Sequence, residues 1–236
     1  MDDSFPVSSF QFPVSTPWSF VHILANVDLK VYPTERPVAA LVLAHGAGTG
    51  QMSQFMVQAA RGFAARGVTT ATFDFPYITA GRKVPDRAPV LERAWRDAID
   101  AARAEIPDLP LFIGGKSMGG RIASHVASQG GAGRLAGLVF LGYPLHPPGK
   151  HEQRRDAHLP AIQEPMLFVQ GSNDPFGTAA EIRALLPMLP HPTLHEIAGG
   201  DHSFKVHGGK AKQEPVFTNI LDTVVEWMRS MVAGEK

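Results

Sequence analysis

The chain has 236 residues, 22 acidic and 22 basic, so its formal charge is zero, and 44% of it is apolar. That length suits one α/β domain able to bury a full core, and the charge balance argues against wholesale attraction to nucleic acid or an anionic membrane. Cysteine is absent, which removes disulfides, thiolate nucleophiles and cysteine metal sites but leaves the redox compartment undetermined.

Residues 1–19 open with two aspartates and spread Pro6, Pro13 and Pro17 among phenylalanines, a composition that fits neither a signal peptide nor a spanning helix. They read as an extended surface arm, and residues 20–236 as a single domain. No apolar run approaches the roughly 20 residues of a membrane helix, and the expected location is cytoplasmic. Phe20 to Tyr32 alternates imperfectly around Asn26-Val27-Asp28 and reads as two short antiparallel strands at a sheet edge.

Val38 to Ala44, Val68 to Phe75, Leu109 to Ile113, Leu135 to Leu141 and Pro165 to Gln170 are nearly continuous apolar runs, the mark of strands covered on both faces. Helical periodicity fills the gaps: Phe55, Ala59 and Phe63, then Leu91, Trp95, Ala98 and Ala102, then Ile122 and Val126. Alternating strand and helix predicts an α/β fold with a mostly parallel central sheet, an antiparallel N-terminal edge and helices on both faces. Thr178 to Met188 reads as a further helix, Thr193 to Ile197 as a last short strand and Val216 to Met231 as a closing helix. Residues 142–164 lack periodicity, are rich in Pro, His, Lys and Arg, and leave a strand end, so they read as a cap-like loop near a ligand site.

Gly115-Lys116-Ser117-Met118-Gly119 lies between a predicted strand and a predicted helix, the setting of a nucleophile elbow. The small neighbours let strand and helix meet closely around a strained serine. The helix start aims its unpaired N–H groups and its positive dipole end at the place where charge develops in acyl transfer. A serine hydroxyl also needs a histidine to take its proton and a carboxylate to orient that histidine, in the order Ser, Asp or Glu, His. Asp174, in the turn after Phe168-Val169-Gln170-Gly171, suits the carboxylate, and His202, in Gly199-Gly200-Asp201-His202-Ser203-Phe204, suits the base. Taken alone, Asp174 also reads as a cap for the next helix and His202 as a surface-loop histidine, while Asp201 competes with Asp174 as orienting carboxylate.

His45-Gly46-Ala47-Gly48 closes the first buried strand and offers the Ala47 N–H beside that of Met118 as a pair of oxyanion donors. A phosphate loop is the competing reading, but the spacing is not Gly-x-Gly-x-x-Gly. His45 reads as a brace for this loop. Lys116 and Arg121 flank the serine either structurally, with Arg121 tied to carbonyls or to Asp74, or as substrate ligands. In the basic loop Lys150, Arg154, Arg155, His146, His151 and His158 are either a solvated face or a contact for an anionic acyl substrate. No helical His-x-x-x-His pair is present, so neither a metal nor a cofactor is expected. Trp18, Trp95 and Trp227 read as packing groups.

Together Ala44-His45-Gly46-Ala47-Gly48, Phe73-Asp74-Phe75-Pro76-Tyr77, Gly114 to Arg121, Gly142 to Lys150 and Gly200-Asp201-His202-Ser203-Phe204 resemble the α/β-hydrolase fold from about Phe20 onward. Within it the chain is similar to the small dienelactone-hydrolase-like group that includes testis-expressed protein 30 and the KANSL3-like hydrolases. The resemblance implies a hydrolase with Ser117, Asp174 and His202 as triad, although dienelactone hydrolases proper carry a cysteine nucleophile. The expectation is a serine hydrolase that cleaves an ester or thioester of a small to medium acyl group, with Lys116, His146 and Lys150 as candidate substrate contacts. Its partner would be a small-molecule acyl substrate, not nucleic acid or membrane, and the closing helix and N-terminal arm are candidate homodimer surfaces. The competing expectation is an inactive scaffold that keeps the fold, and a third is acyl transfer to an acceptor other than water.

Overall fold

The computed structural model describes residues 27–234. Seven strands, β1 (Leu29–Tyr32), β2 (Ala39–Ala44), β3 (Val68–Phe73), β4 (Leu111–Lys116), β5 (Gly137–Leu141), β6 (Met166–Gly171) and β7 (Pro192–Ile197), form one sheet in the order β1-β3-β2-β4-β5-β6-β7. All neighbours are parallel except β1, which pairs antiparallel with β3 from Leu29↔Phe73 to Tyr32↔Thr70. The predicted antiparallel edge is therefore present in β1. The expected strand before it and the N-terminal arm lie outside the described residues.

Continuous apolarity in the inner strands serves two cores at once, because successive side chains leave a strand on opposite faces. Ala40, Val42 and Ala44 of β2 join Trp95, Ile122 and Val126 on one face. Ala39, Leu41 and Leu43 join Phe63, Val224 and Met228 on the other. Helix α1 (Gln54–Ala64) buries Met56, Ala59, Ala60 and Phe63 on one stripe, and with the closing helix α6 (Lys210–Gly234) covers the second face. The first face is covered by α3 (Ala88–Glu105), α4 (Met118–Ser128) and α5 (Ala179–Leu185), while the single turn α2 (Pro76–Thr79) follows β3. Each fully buried Leu, Ile or Phe contributes about 1.5–3 kcal/mol, so the frame under the strand ends is rigid. Trp95 is fully buried and Trp227 nearly so, as packing groups.

Three boundaries differ from the sequence reading. β4 continues past Ile113 through Gly114-Gly115-Lys116, because its backbone still pairs with β2 at Ala44↔Gly115 and with β5 at Lys116↔Leu141. Pairing needs no apolar side chain, so the pattern stopped short. β3 ends at Phe73, where Asp74 turns the chain. α6 begins at Lys210 and runs through Pro215, which the periodicity placed just outside the helix.

Residues 142–164 contain one 3₁₀ turn (Leu159–Ala161) but are firmly seated. Tyr143, Leu145, His146, Leu159 and Ile162 are buried, the Tyr143 hydroxyl donates to the Arg155 carbonyl at 2.8 Å, and the Arg155 N–H donates to the Leu145 carbonyl at 2.9 Å. Among the described residues no helix is long and apolar enough to cross a membrane.

Candidate active site

Strand order reverses between β2 and β4, the place in an open α/β sheet where ligands bind beyond the carboxyl ends. β4 ends at Lys116 and α4 begins at Met118, so Ser117 alone makes the turn. It sits at φ 52° and ψ −117°, a conformation that costs a non-glycine residue about 1–3 kcal/mol. A Cβ on either Gly115 or Gly119 would collide with the Ala44 carbonyl oxygen, so only hydrogen at both positions lets the elbow press against β2. The Trp95 indole donates to the Gly119 carbonyl at 3.0 Å, and Ser117 N–H donates to Leu141 O at 3.1 Å, fixing the turn from both sides.

His202 Nε2 lies 2.8 Å from Ser117 Oγ, and His202 Nδ1 lies 2.7 Å from Asp174 Oδ2. A carboxylate only accepts, so Nδ1 carries the ring proton and the Nε2 lone pair faces the serine hydroxyl. Asp174 is 1% exposed yet fully partnered: Phe176 N–H donates to Oδ1 at 2.8 Å, and Gln170 Nε2 donates to Oδ2 at 2.9 Å. The cap of α5 is Thr178, in a capping box with Glu181, not Asp174. Asp201 closes its own turn by accepting from Ser203 N–H at 2.7 Å and Lys205 N–H at 2.9 Å.

The loop after β2 lies against the elbow: a Cβ on Gly46 would stand 3.7 Å from Ser117 Cβ. Ala47 N–H makes no hydrogen bond among the described residues, and Met118 N–H is among the helix-opening donors that α4 cannot satisfy. His45, fully buried, donates from Nδ1 to Gly46 O at 2.8 Å and accepts from Phe75 N–H at Nε2, 3.2 Å away. Burial pushes its pKa below the ordinary value, so it stays a neutral brace.

Two of the three candidate substrate contacts, Lys116 and His146, have other engagements. Lys116 Nζ donates to the His202 carbonyl at 2.6 Å and lies over the Phe204 ring, and burial lowers its pKa from 10.5 to about 8, against the opposing pull of Asp174 and Asp201. Phe204, at φ 60°, is the one other non-glycine at positive φ among the described residues. His146 is buried and hydrogen-bonded to Pro147 O and Glu181. Lys150 is exposed on the loop. Arg154 pairs with Asp156 at 2.5 Å. Of the alternatives for Arg121, the tie to Asp74 is not made. Asp74 instead accepts from Gln51 N–H at 2.6 Å, and Arg121 Nε is buried with no hydrogen-bond partner. Burial and then the nearby Arg155 charge lower the pKa of Arg121.

Two residues at this centre escaped the sequence reading. Gln170, fully buried, gives its two amide hydrogens to Asp174 at 2.9 Å and Gly177 O at 2.6 Å, with Tyr143 O a further 3.3 Å neighbour, and takes Tyr143 N–H at 2.8 Å. An amide inside an apolar strand run is itself a signal, since a buried polar group needs partners. The Phe176 ring lies against the His202 imidazole, centroids 4.2 Å apart, for which the sequence offers no pattern.

A family model described as an alpha/beta hydrolase domain matches residues 37–231. The chain belongs to the α/β-hydrolase family. Polyketide synthase ThaQ of Burkholderia thailandensis is 36% identical over 78 residues, 33% of this chain and 4% of that one. Human monoglyceride lipase is 29% identical over 140 residues, 55% of this α/β-hydrolase and 45% of the lipase. The chain thus spans less than half the length of these curated relatives. Among solved structures, the dienelactone hydrolase from Anabaena variabilis superposes with a TM-score of 0.67 at 19% identity, covering 85% of this chain and 90% of that one, a likeness of fold.

Proposed function

We propose that this α/β-hydrolase is a serine esterase or thioesterase acting on small to medium acyl groups through an acyl-enzyme. The observation that carries the reading is the unbroken line Ser117 Oγ, His202, Asp174 at 2.8 and 2.7 Å. His202 takes the Ser117 proton as Oγ attacks the substrate carbonyl, and the oxyanion settles on the N–H groups of Met118 and Ala47. His202 then gives that proton to the leaving alcohol or thiol. Water, deprotonated by the same imidazole, attacks the acyl-serine, and the proton returns to Oγ as the carboxylic acid leaves. Asp174, bonded to Nδ1, steadies the imidazolium. Similarity to a protein named monoglyceride lipase supports an ester as the scissile bond.

The test is covalent labelling by a fluorophosphonate, read by intact mass. The parent should gain one adduct per chain and Ser117→Ala none, after which matched ester and thioester panels define the leaving group. A folded parent that takes no label refutes an activated serine and favours the scaffold reading.

A further inference from the structure

Away from the triad, three side chains converge in a way the proposed hydrolysis does not use. His146 and His151 come from the loop after β5, and Glu181 from the first turn of α5. His146 Nε2 is 3.1 Å and His151 Nδ1 3.3 Å from the same oxygen, Glu181 Oε1, and the three donor atoms lie within 4.8 Å of one another. Two imidazole nitrogens and a carboxylate oxygen form a ligand set typical of zinc-class ions. With metal–ligand bonds of about 2.0–2.1 Å, tetrahedral ligands stand about 3.3 Å apart, which is the spacing found at Oε1.

The surroundings are those of metal ligands. The second ring nitrogen of His146, Nδ1, donates to the Pro147 carbonyl 2.9 Å away, which fixes the ring with Nε2 turned toward Glu181, where a bound ion would take the place of the Nε2 proton. The second oxygen of Glu181 is held by the Thr178 N–H at 2.9 Å and hydroxyl at 3.0 Å, so Oε1 is left to the two histidines. His146 is 1% exposed, whereas the His151 side chain is 70% exposed and has room to close on an ion. The two rings already lie 4.4 Å apart.

The geometry points to a zinc-class divalent ion held by His146, His151 and Glu181, with water in the fourth position, strapping the loop of residues 142–164 to α5. The strap bears on the candidate active site. His146 N–H donates to Phe176 O at 3.0 Å, and Phe176 in turn packs its ring on His202 and donates its N–H to Asp174. The ion would brace the loop one residue contact behind the candidate base, His202. Sequence spacing hides such a site, because the ligands are five and thirty residues apart and only one of them is helical.

The full chain, stripped with chelator and dialysed, is titrated with zinc chloride by calorimetry, and hydrogen exchange is followed over residues 145–156. The parent should bind one ion per chain and exchange more slowly there when zinc is present. His151→Ala, which removes an exposed ring, and Glu181→Gln, which keeps the capping box, should each bind at least about tenfold more weakly and lose the exchange effect, while Ser117→Ala binds like the parent. No binding by the parent overturns the assignment. So does equal binding by parent and both variants, which would mean an adventitious ion only.

Discussion

Lys116 offers a perturbation in which stability and activity should part. Its ammonium is carried at neutral pH although burial lowers its pKa from 10.5 to about 8. At 1.36 kcal/mol per unit, that displacement corresponds to a cost of about 3 kcal/mol. Against it stands the 2.6 Å bond to the His202 carbonyl, a charged hydrogen bond worth about 1.5–3 kcal/mol. Lys116→Met keeps the stem and removes both terms, so at pH 7 the variant should unfold within about 1 kcal/mol of the parent. The sign with pH follows from linkage. Between about pH 8 and 10.5 the unfolded chain holds a proton that the folded Lys116 has lost, so the parent gains stability relative to the variant as pH rises, by up to about 1.4 kcal/mol per unit. Urea unfolding of both proteins at pH 7, 9 and 10 reads this directly. The untethered His202 loop should meanwhile lower kcat on an aryl ester at least about tenfold with KM little changed. A constant stability gap across that pH range, or an unchanged kcat, would refute the reasoning.

Asp174→Asn should fold normally but lose about 10⁴ in kcat, because an amide can donate to Nδ1 and so favours the wrong imidazole tautomer; a loss under tenfold would remove Asp174 from the mechanism. Gly142 has φ 71°, and a Cβ there would stand 3.0 Å from Lys116 Nζ and 3.3 Å from the His202 carbonyl, so Gly142→Ala should cost about 1–2 kcal/mol in denaturant unfolding and lower activity as well. His158 has its pKa lowered from 6.5 to about 4, by burial and then by the charges of His125 and Arg121, and it bonds Ser124 Oγ at 2.7 Å. Between pH 6.5 and 4 the unfolded chain therefore takes up a proton that the folded one refuses, and stability should fall as pH drops through that window. His158→Gln should show a shallower fall over the same interval, and identical slopes would exclude His158 as a source of acid lability.

Much of the frame was legible because it is written locally. Val38 to Ala44 and Pro165 to Val169 are apolar throughout since both faces of β2 and β6 are covered, and a strand end followed by Gly, Ser or Asp is a short-range signal. Ser117, Asp174 and His202 each lie just past such an end, so their positions could be read from their own neighbourhoods. The contacts that orient them could not. Lys116 reaches a carbonyl 86 positions away, Gln170 meets four groups, two on Tyr143 just past β5 and two in the turn after β6, and the basic loop spends Arg154 on Asp156 and its histidines on Glu181 and Ser124. Composition shows a run of positive charge there but not which acids it meets. The same blindness produced the unmade tie from Arg121 to Asp74.

These long-range contacts gather on one residue. The His202 ring is fixed at Nδ1 by Asp174 and on one face by Phe176, and its carbonyl is fixed by Lys116, with Gly142 closing behind. Ser117 is set independently, by its strained turn and by Trp95 through Gly119. The candidate nucleophile is thus held by the sheet and the elbow helix, and the candidate base by loops braced on one another. Removing one brace from His202 should leave the frame folded and displace the imidazole by a fraction of an ångström, enough to slow proton transfer while the shape that binds substrate persists. Damage to the Lys116, Phe176 and Gln170 set should therefore appear first in kcat, whereas damage at Gly115 or Gly119, which separates α4 from β2, should appear first in folding.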